Sequence, residues 1–293
     1  MQTGKTLLRT FSTSVVARST AELDVSFIGG NVAHVKLNRP DRRNTFTIEL
    51  WRDMRKLFAD LSINPKIRSV VVSGNGKSFC AGIDLQQGMG SLIQTLNDDE
   101  LDVGRKARML ETIIGECQDG FTCIEKCPKP VIVAIHSHCI GAGIDLISSC
   151  DIRYATKDVV FNIKEVEIGL AADVGTLNRL PHIIGNDSWL RELAFTARDF
   201  GTGEALQHGM ISRVFDSKED CVDAALDLAT KIAEKSPIAV QGTKRVLNYS
   251  RGRPVDQSLE FVKMWNMSQL QSSDLIESAM AAMAKKKVSY KDV

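Results

Sequence analysis

Two kinds of hydrophobic period alternate along the first two thirds of this chain, and that alternation restricts the fold more than any other feature. "DVSFIGGNVAHVKLNRP" switches between apolar and polar residues on both sides of Gly29 and Gly30, the pattern of two strands joined by a tight turn, and Pro40 ends it. "TIELWRDMRKLFADLS" then repeats apolar residues at Ile48, Trp51, Met54, Leu57, Phe58 and Leu61, which is helical spacing. "IRSVVVSG" and "KPVIVAIHSHC" are short β-branched runs bounded by turn residues, suited to buried strands. Residues 90–127 read as a partly polar helical excursion between two strands. Beyond about residue 200 the strand signal fades, and "CVDAALDLATKIAEKSP", "AVQGTKRVLNYS" and "SLEFVKMWNMSQLQSSDLIESAMAAMAKKK" read as helices. Strands alternating with helices favour α/β layering. The expected organisation is an α/β core over residues 21–200 and a helical region over 201–293, with no internal repeat or low-complexity linker.

A chain of 293 residues, 43% of them hydrophobic, can bury a substantial core. Its 37 basic and 36 acidic residues leave a net charge of +1, so nothing electrostatic draws it to nucleic acid or to an anionic membrane. No uninterrupted apolar stretch approaches the length of a membrane span. The seven cysteines, Cys80, Cys117, Cys123, Cys127, Cys139, Cys150 and Cys221, form no small disulfide framework and read as reduced thiols. Cys123 and Cys127, with His136, His138 and Cys139 downstream, lack the two paired ligand clusters of a zinc site and read as buried or incidental, so no metal is expected. Residues 1–20, "MQTGKTLLRTFSTSVVARST", carry Lys5, Arg9 and Arg18 among many Ser and Thr, with no acid before Glu22. That is the composition of a mitochondrial transit peptide. The last residues, "SYKDV", are not a peroxisomal tripeptide of the Ser-Lys-Leu type, so the matrix of the mitochondrion is the expected location.

Two apparent nucleotide motifs fail. "SGNGKSF" has Val71 where a phosphate loop needs its first glycine, and it reads as a turn. "GAGIDL" has Leu146 where a dinucleotide fingerprint needs its third glycine. What remains is a pair of similar junctions, "SFCAGIDL" at 78–85 and "HCIGAGIDLISSC" at 138–150. Each is expected to lead from a strand into a helix, leaving backbone N–H groups without intrahelical partners. Two such groups converging on one point would make an oxyanion hole, whereas singly each junction reads as a tight turn.

"NRPDRRNTF", "SFCAGIDL", "CIGAGIDLISSCDIRYAT", "IKEVEIGLAADVGTLNRLPHIIGN", "AFTARDFGTGEALQHGMISRVF" and "SPIAVQGTKRVLN" occur in one order. In this the chain resembles the enoyl-CoA hydratase/isomerase (crotonase) superfamily from about Asp24 to Met283. The resemblance implies a spiral of strand-strand-helix turns with a C-terminal helical region that forms homotrimers or homohexamers. It implies an acyl-CoA thioester substrate, whose carbonyl is polarised by the backbone N–H groups of Ile83 and Ala142. The second position is more often glycine in the family, but alanine keeps the N–H. No metal, flavin or nicotinamide cofactor is implied, since CoA is part of the substrate. By position in the motif Arg42 and Arg43 are candidates for the CoA phosphates, and Lys263 is a cation that can reach the site from the helical region.

Within the superfamily a hydratase resembles this chain at Glu165, but carries a glutamate in place of Asp145 and a small residue in place of Asp173. The set Asp145, Glu165 and Asp173, with "DLISSCDIRY" and "KEVEIGLAADVGTL", instead resembles the Δ3,5-Δ2,4-dienoyl-CoA isomerase branch. That branch moves a diene by taking a proton from C2 and returning one to C6, which needs two acid/base groups spaced along one acyl chain. Glu165 is assigned to C2 and Asp173 to C6, the reverse order being open, and Asp145 to tuning the other two or stabilising the intermediate. An apolar setting would raise carboxyl groups by desolvation and bring the acid and base closer to working pH. Periodicity alone does not choose between Glu165 and Glu167; the register of the resemblance selects Glu165. Asp84 reads as a local hydrogen-bond acceptor. The competing functions are a 2-enoyl-CoA hydratase and a noncatalytic acyl-CoA- or RNA-binding member of the same fold.

Overall fold

The computed structural model describes residues 19–293, so the transit-peptide stretch falls outside the described residues except for its last two positions. Strands β1 (Leu23–Ile28) and β2 (Val32–Leu37) form the expected antiparallel hairpin, turning at Gly29 and Gly30, both with positive φ. Helix α1 (Ile48–Ile63) is capped by the Thr47 side chain, which accepts from the Leu50 N–H, and it buries each of the six apolar positions that define its period. Then come β3 (Ser69–Gly74), the helical excursion α2 (Gly90–Leu96) and α3 (Val103–Lys126), β4 (Val131–Ile135) and β5 (His138–Ile140). The short helix α4 (Ala142–Ser149) leads to β6 (Ile152–Thr156) and β7 (Val160–Asn162). Next are α5 (Thr176–Arg179), α6 (Asp187–Thr196), β8 (Phe200–Gly201), α7 (Thr202–Gln207) and β9 (Arg213–Phe215). Four helices finish the chain: α8 (Lys218–Ala233), α9 (Pro237–Ser250), α10 (Val255–Gln269) and α11 (Ser273–Met283).

The main sheet has the order β1-β2-β3-β4-β6-β9, and every pairing after the hairpin is parallel. Parallel central strands are covered on both faces, which is why β-branched residues are prominent in β3 and β4. Val70, Val72, Val131, Val133 and Ile135 point into the large core under α1 and α3. The alternate residues Val71, Ile132 and Ala134 meet Cys221, Ala225, Ala229 and Ala233 of α8 on the opposite face. Strands β5, β7 and β8 form a second, smaller sheet.

The division at residue 200 therefore needs correction. Strand β9 is the sixth strand of the main sheet, and α8 is its second covering layer, so the layered core runs to about residue 233. A three-residue strand is too short to show a period, and the i, i+4 alanines of α8 read only as helix. The C-terminal helical region that stands apart from the sheet is α9 to α11. Among the described residues no helix is long and apolar enough to cross a membrane.

Candidate active site

The two junctions lie side by side because one strand-like bridge ties them. Cys80 pairs in parallel with Cys139: its N–H donates to the His138 carbonyl at 3.0 Å, and its own carbonyl accepts from Ile140 at 3.0 Å. The first junction does not run into a helix, which corrects the sequence-based expectation. Ile83 instead bridges Phe46, with the Phe46 N–H donating to the Gly82 carbonyl at 2.8 Å and the Asp84 N–H donating to the Phe46 carbonyl at 2.9 Å. In a parallel bridge the central residue directs its own N–H away from the partner strand. The N–H of Ile83 is thus released by sheet geometry rather than by a helix start. Ala142 does begin a helix, so its N–H is one of the donors a helix leaves unpaired, and α4 is buried along its whole length. The buried helix start adds a partial positive charge at the same point.

Both residues line a cavity of about 300 Å³. Its wall is mostly apolar, with Trp51, Leu92, Ile113, Ile168 and Leu170 prominent, and its polar side chains include Asp145, Glu165 and Asp173. All five residues assigned from the sequence thus line one cavity. Of the apolar residues between Glu165 and Asp173, Ile168 and Leu170 reach it, whereas Ala172 packs into the protein and Val166 faces solvent.

The carboxyl groups differ in how they are held. Asp145, 2% exposed, accepts from both the N–H and the hydroxyl of Thr176 at 2.7 and 2.6 Å, so it anchors another segment rather than capping its own helix. Burial lifts it from 3.8 to about 6, against the pull of the Thr176 donors. Glu165 is lifted furthest, to about 7, first by burial and then by the nearby Asp145 charge. Its Oε2 is buried and makes no hydrogen bond. Asp173 is also raised by burial, but it is the most exposed of the three. Neighbouring acids whose charged forms are disfavoured by burial are costly to stability and characteristic of a reaction site. Glu167 is instead a surface residue paired with Lys164 at 2.5 Å. Asp84 accepts from the N–H groups of Gln86 and Gln87 and pairs with Arg39, the local role expected of it.

Gly141 sits where these parts meet. Its φ of 48° and ψ of −112° lie outside the usual range for a residue with a side chain, and a Cβ there would stand 3.3 Å from Glu165 Oε1. Gly141→Ala is expected to cost about 1–3 kcal/mol of stability and to shift Glu165 from its seat. Thermal unfolding beside a kcat measurement checks this; unchanged values for both would contradict the packing described.

Arg42 and Arg43 are exposed, and the Arg43 carbonyl accepts from the Ala81 N–H at 3.0 Å, which puts the pair at the rim beside the first junction. Lys263 pairs with Glu260 on α10 and is not among the cavity residues. The motif-based reading missed Thr176, because a threonine one position after a glycine carries no signal of a long-range hydrogen bond. Cys127 and Cys139 are buried free thiols, while His136 contacts the Gly76 carbonyl and His138 contacts the Ser78 and Ser137 hydroxyls.

Residues 28–293 match the enoyl-CoA hydratase/isomerase family. This chain belongs to that family. Family members act on acyl-CoA thioesters. Over 256 residues, 87% of this chain and 77% of the relative, it is 52% identical to the mitochondrial Delta(3,5)-Delta(2,4)-dienoyl-CoA isomerase of Rattus norvegicus. It is 44% identical to the peroxisomal Delta(3,5)-Delta(2,4)-dienoyl-CoA isomerase of Arabidopsis thaliana, covering 88% of this chain and 91% of the relative. In fold it is similar to the crystal structure of an enoyl-CoA hydratase from Bacillus anthracis, with a TM-score of 0.82, 24% identity, and coverage of 92% and 99%. The family fold is thus the α/β spiral with a helical C-terminal region.

Proposed function

We propose that this chain isomerises 3,5-dienoyl-CoA to 2,4-dienoyl-CoA in the oxidation of unsaturated fatty acids. The observation that carries the reading is that three carboxyl groups and two free-facing backbone N–H groups line a single apolar cavity. The two 3,5-2,4-isomerase relatives support the choice of reaction. With the thioester oxygen at the N–H groups of Ile83 and Ala142, Glu165 takes a proton from C2, and the electron pair spreads over the thioester and the diene as a dienolate. Each such donor contributes about 3 kcal/mol to stabilising a developing oxyanion. Asp173 then gives its proton to C6, leaving double bonds at C2 and C4. Glu165, raised to about 7, is a stronger base than an ordinary carboxylate and is still largely ionised at pH 8. Asp173, raised and more exposed, can recover its proton from solvent. Asp145 is held by Thr176 and tunes the other two. The reaction needs no metal, flavin or nicotinamide.

The mitochondrial matrix is the compartment of this reading, supported by the Rattus norvegicus relative and by the composition of residues 1–20. Assembly into trimers or pairs of trimers belongs to the same proposal. Met264, Met267, Leu275, Ile276 and Met280 of α10 and α11, and Leu270 between them, are exposed apolar residues that support it. The function is tested by following conjugated-diene absorbance on mixing the protein with a 3,5-dienoyl-CoA, beside hydration of a 2-enoyl-CoA. Diene formation is expected. Hydration without diene formation would make the protein a hydratase, and CoA-thioester binding with neither reaction would make it a binding protein.

A further inference from the structure

We propose that Arg179 is a positioning residue for this reaction, a guanidinium fork that fixes the 173–176 segment against α3 and so sets where Asp145 and Asp173 present their carboxyl groups. The proposal rests on the isomerase reading and adds a residue that lies outside the acyl cavity. Arg179 lines a second, polar cavity of about 330 Å³, which shares only Val174 with the first. Its side chain turns back over the start of its own helix. Nη1 donates to the Val174 carbonyl at 3.3 Å, Nη2 to the Thr122 hydroxyl at 2.9 Å, and Nε to Glu125 Oε2 at 3.0 Å. Glu125 is fixed in turn by Arg251 at 2.9 Å.

The segment gripped in this way is the one that carries the acids. The Gly175 backbone lies close against the guanidinium, since a Cβ there would stand 1.7 Å from Nη1. Next in the chain is Thr176, whose N–H and hydroxyl hold Asp145. On the other side Gln118 Nε2 donates to the Asp173 carbonyl at 2.7 Å. Gln118, Thr122 and Glu125 are spaced four and three residues apart, so one face of α3 supplies all three grips. A lysine keeps the charge of Arg179 but cannot donate along three fixed directions.

Misplacing a reacting group by about 1 Å can cost about a hundredfold in rate. Arg179→Lys is therefore expected to lower kcat about 10- to 100-fold while KM stays within about threefold. Thr122→Val, which removes a single anchor and keeps the side-chain shape, is expected to lower kcat about threefold with KM and thermal stability close to wild type. It decides the matter if the arginine variant does not fold. Unchanged kcat in a folded Arg179→Lys protein, or failing that in Thr122→Val, would overturn the proposal. So would a fall in kcat that is matched by a rise in KM and by lost stability. Wild-type protein run in the same diene assay separates the two levels: an inactive wild type contradicts the isomerase reading itself, whereas an active wild type with indifferent variants contradicts only the role of Arg179.

Discussion

Glu165→Gln is expected to abolish isomerisation and at the same time to raise thermal stability above pH 7. Burial and Asp145 hold this carboxyl at about 7 in the folded chain, against 4.5 as its ordinary value. Between those two values the native chain keeps a proton that the unfolded chain has released. Stability is therefore lost as pH rises through that window, and the full cost of about 3 kcal/mol is present above pH 7. A neutral amide of the same shape carries no such cost. The variant is expected to unfold roughly 5 °C higher than wild type at pH 8, with the gain gone near pH 4.5. Its kcat is expected to fall about 10³- to 10⁴-fold, the loss of an acid/base group. Melting curves at pH 8 and pH 5 check the stability half. An equal decrease at both would mean that Glu165 supports the fold and is not strained in the interest of chemistry.

Asp173→Asn separates the two halves of the proposed reaction. Glu165 and the N–H groups of Ile83 and Ala142 remain, so proton removal at C2 survives while delivery to C6 does not. The conjugated diene is expected to form about 10²- to 10⁴-fold more slowly, and hydrogen at C2 is expected to exchange with deuterated water at close to the wild-type rate. Exchange followed by NMR beside the absorbance assay checks both. Loss of exchange together with isomerisation would assign the C2 proton to Asp173, reversing the roles of the two acids.

The local parts of this architecture could be read from the chain because local interactions make them. The Gly29-Gly30 turn, the Thr47 cap and the period of α1 each declare themselves within a few residues. The alternation of Val70 to Val72 between two cores is a property of one strand. Long-range pairings were not legible. Strand β9 exists because three residues reach the edge of β6, and the N–H of Ile83 is free because Phe46, far back in the chain, bridges it. The acids at 145, 165 and 173 were assigned by the register of family motifs; the structure adds that they share a cavity and that burial raises each of them. Thr176 and Arg179 went unnoticed for the same reason as β9, since their partners lie 31 and 54 residues away.

The central claim is that two different carboxyl groups handle the departing and the arriving proton. The most direct measurement uses a 3,5-dienoyl-CoA carrying deuterium at both C2 positions, turned over in ordinary water and analysed by absorbance and by NMR of the product. The account predicts rapid appearance of the conjugated diene, one deuterium left at C2, and hydrogen from solvent at C6. Deuterium carried from C2 to C6 would show a single group shuttling one proton along the chain, and would contradict the account.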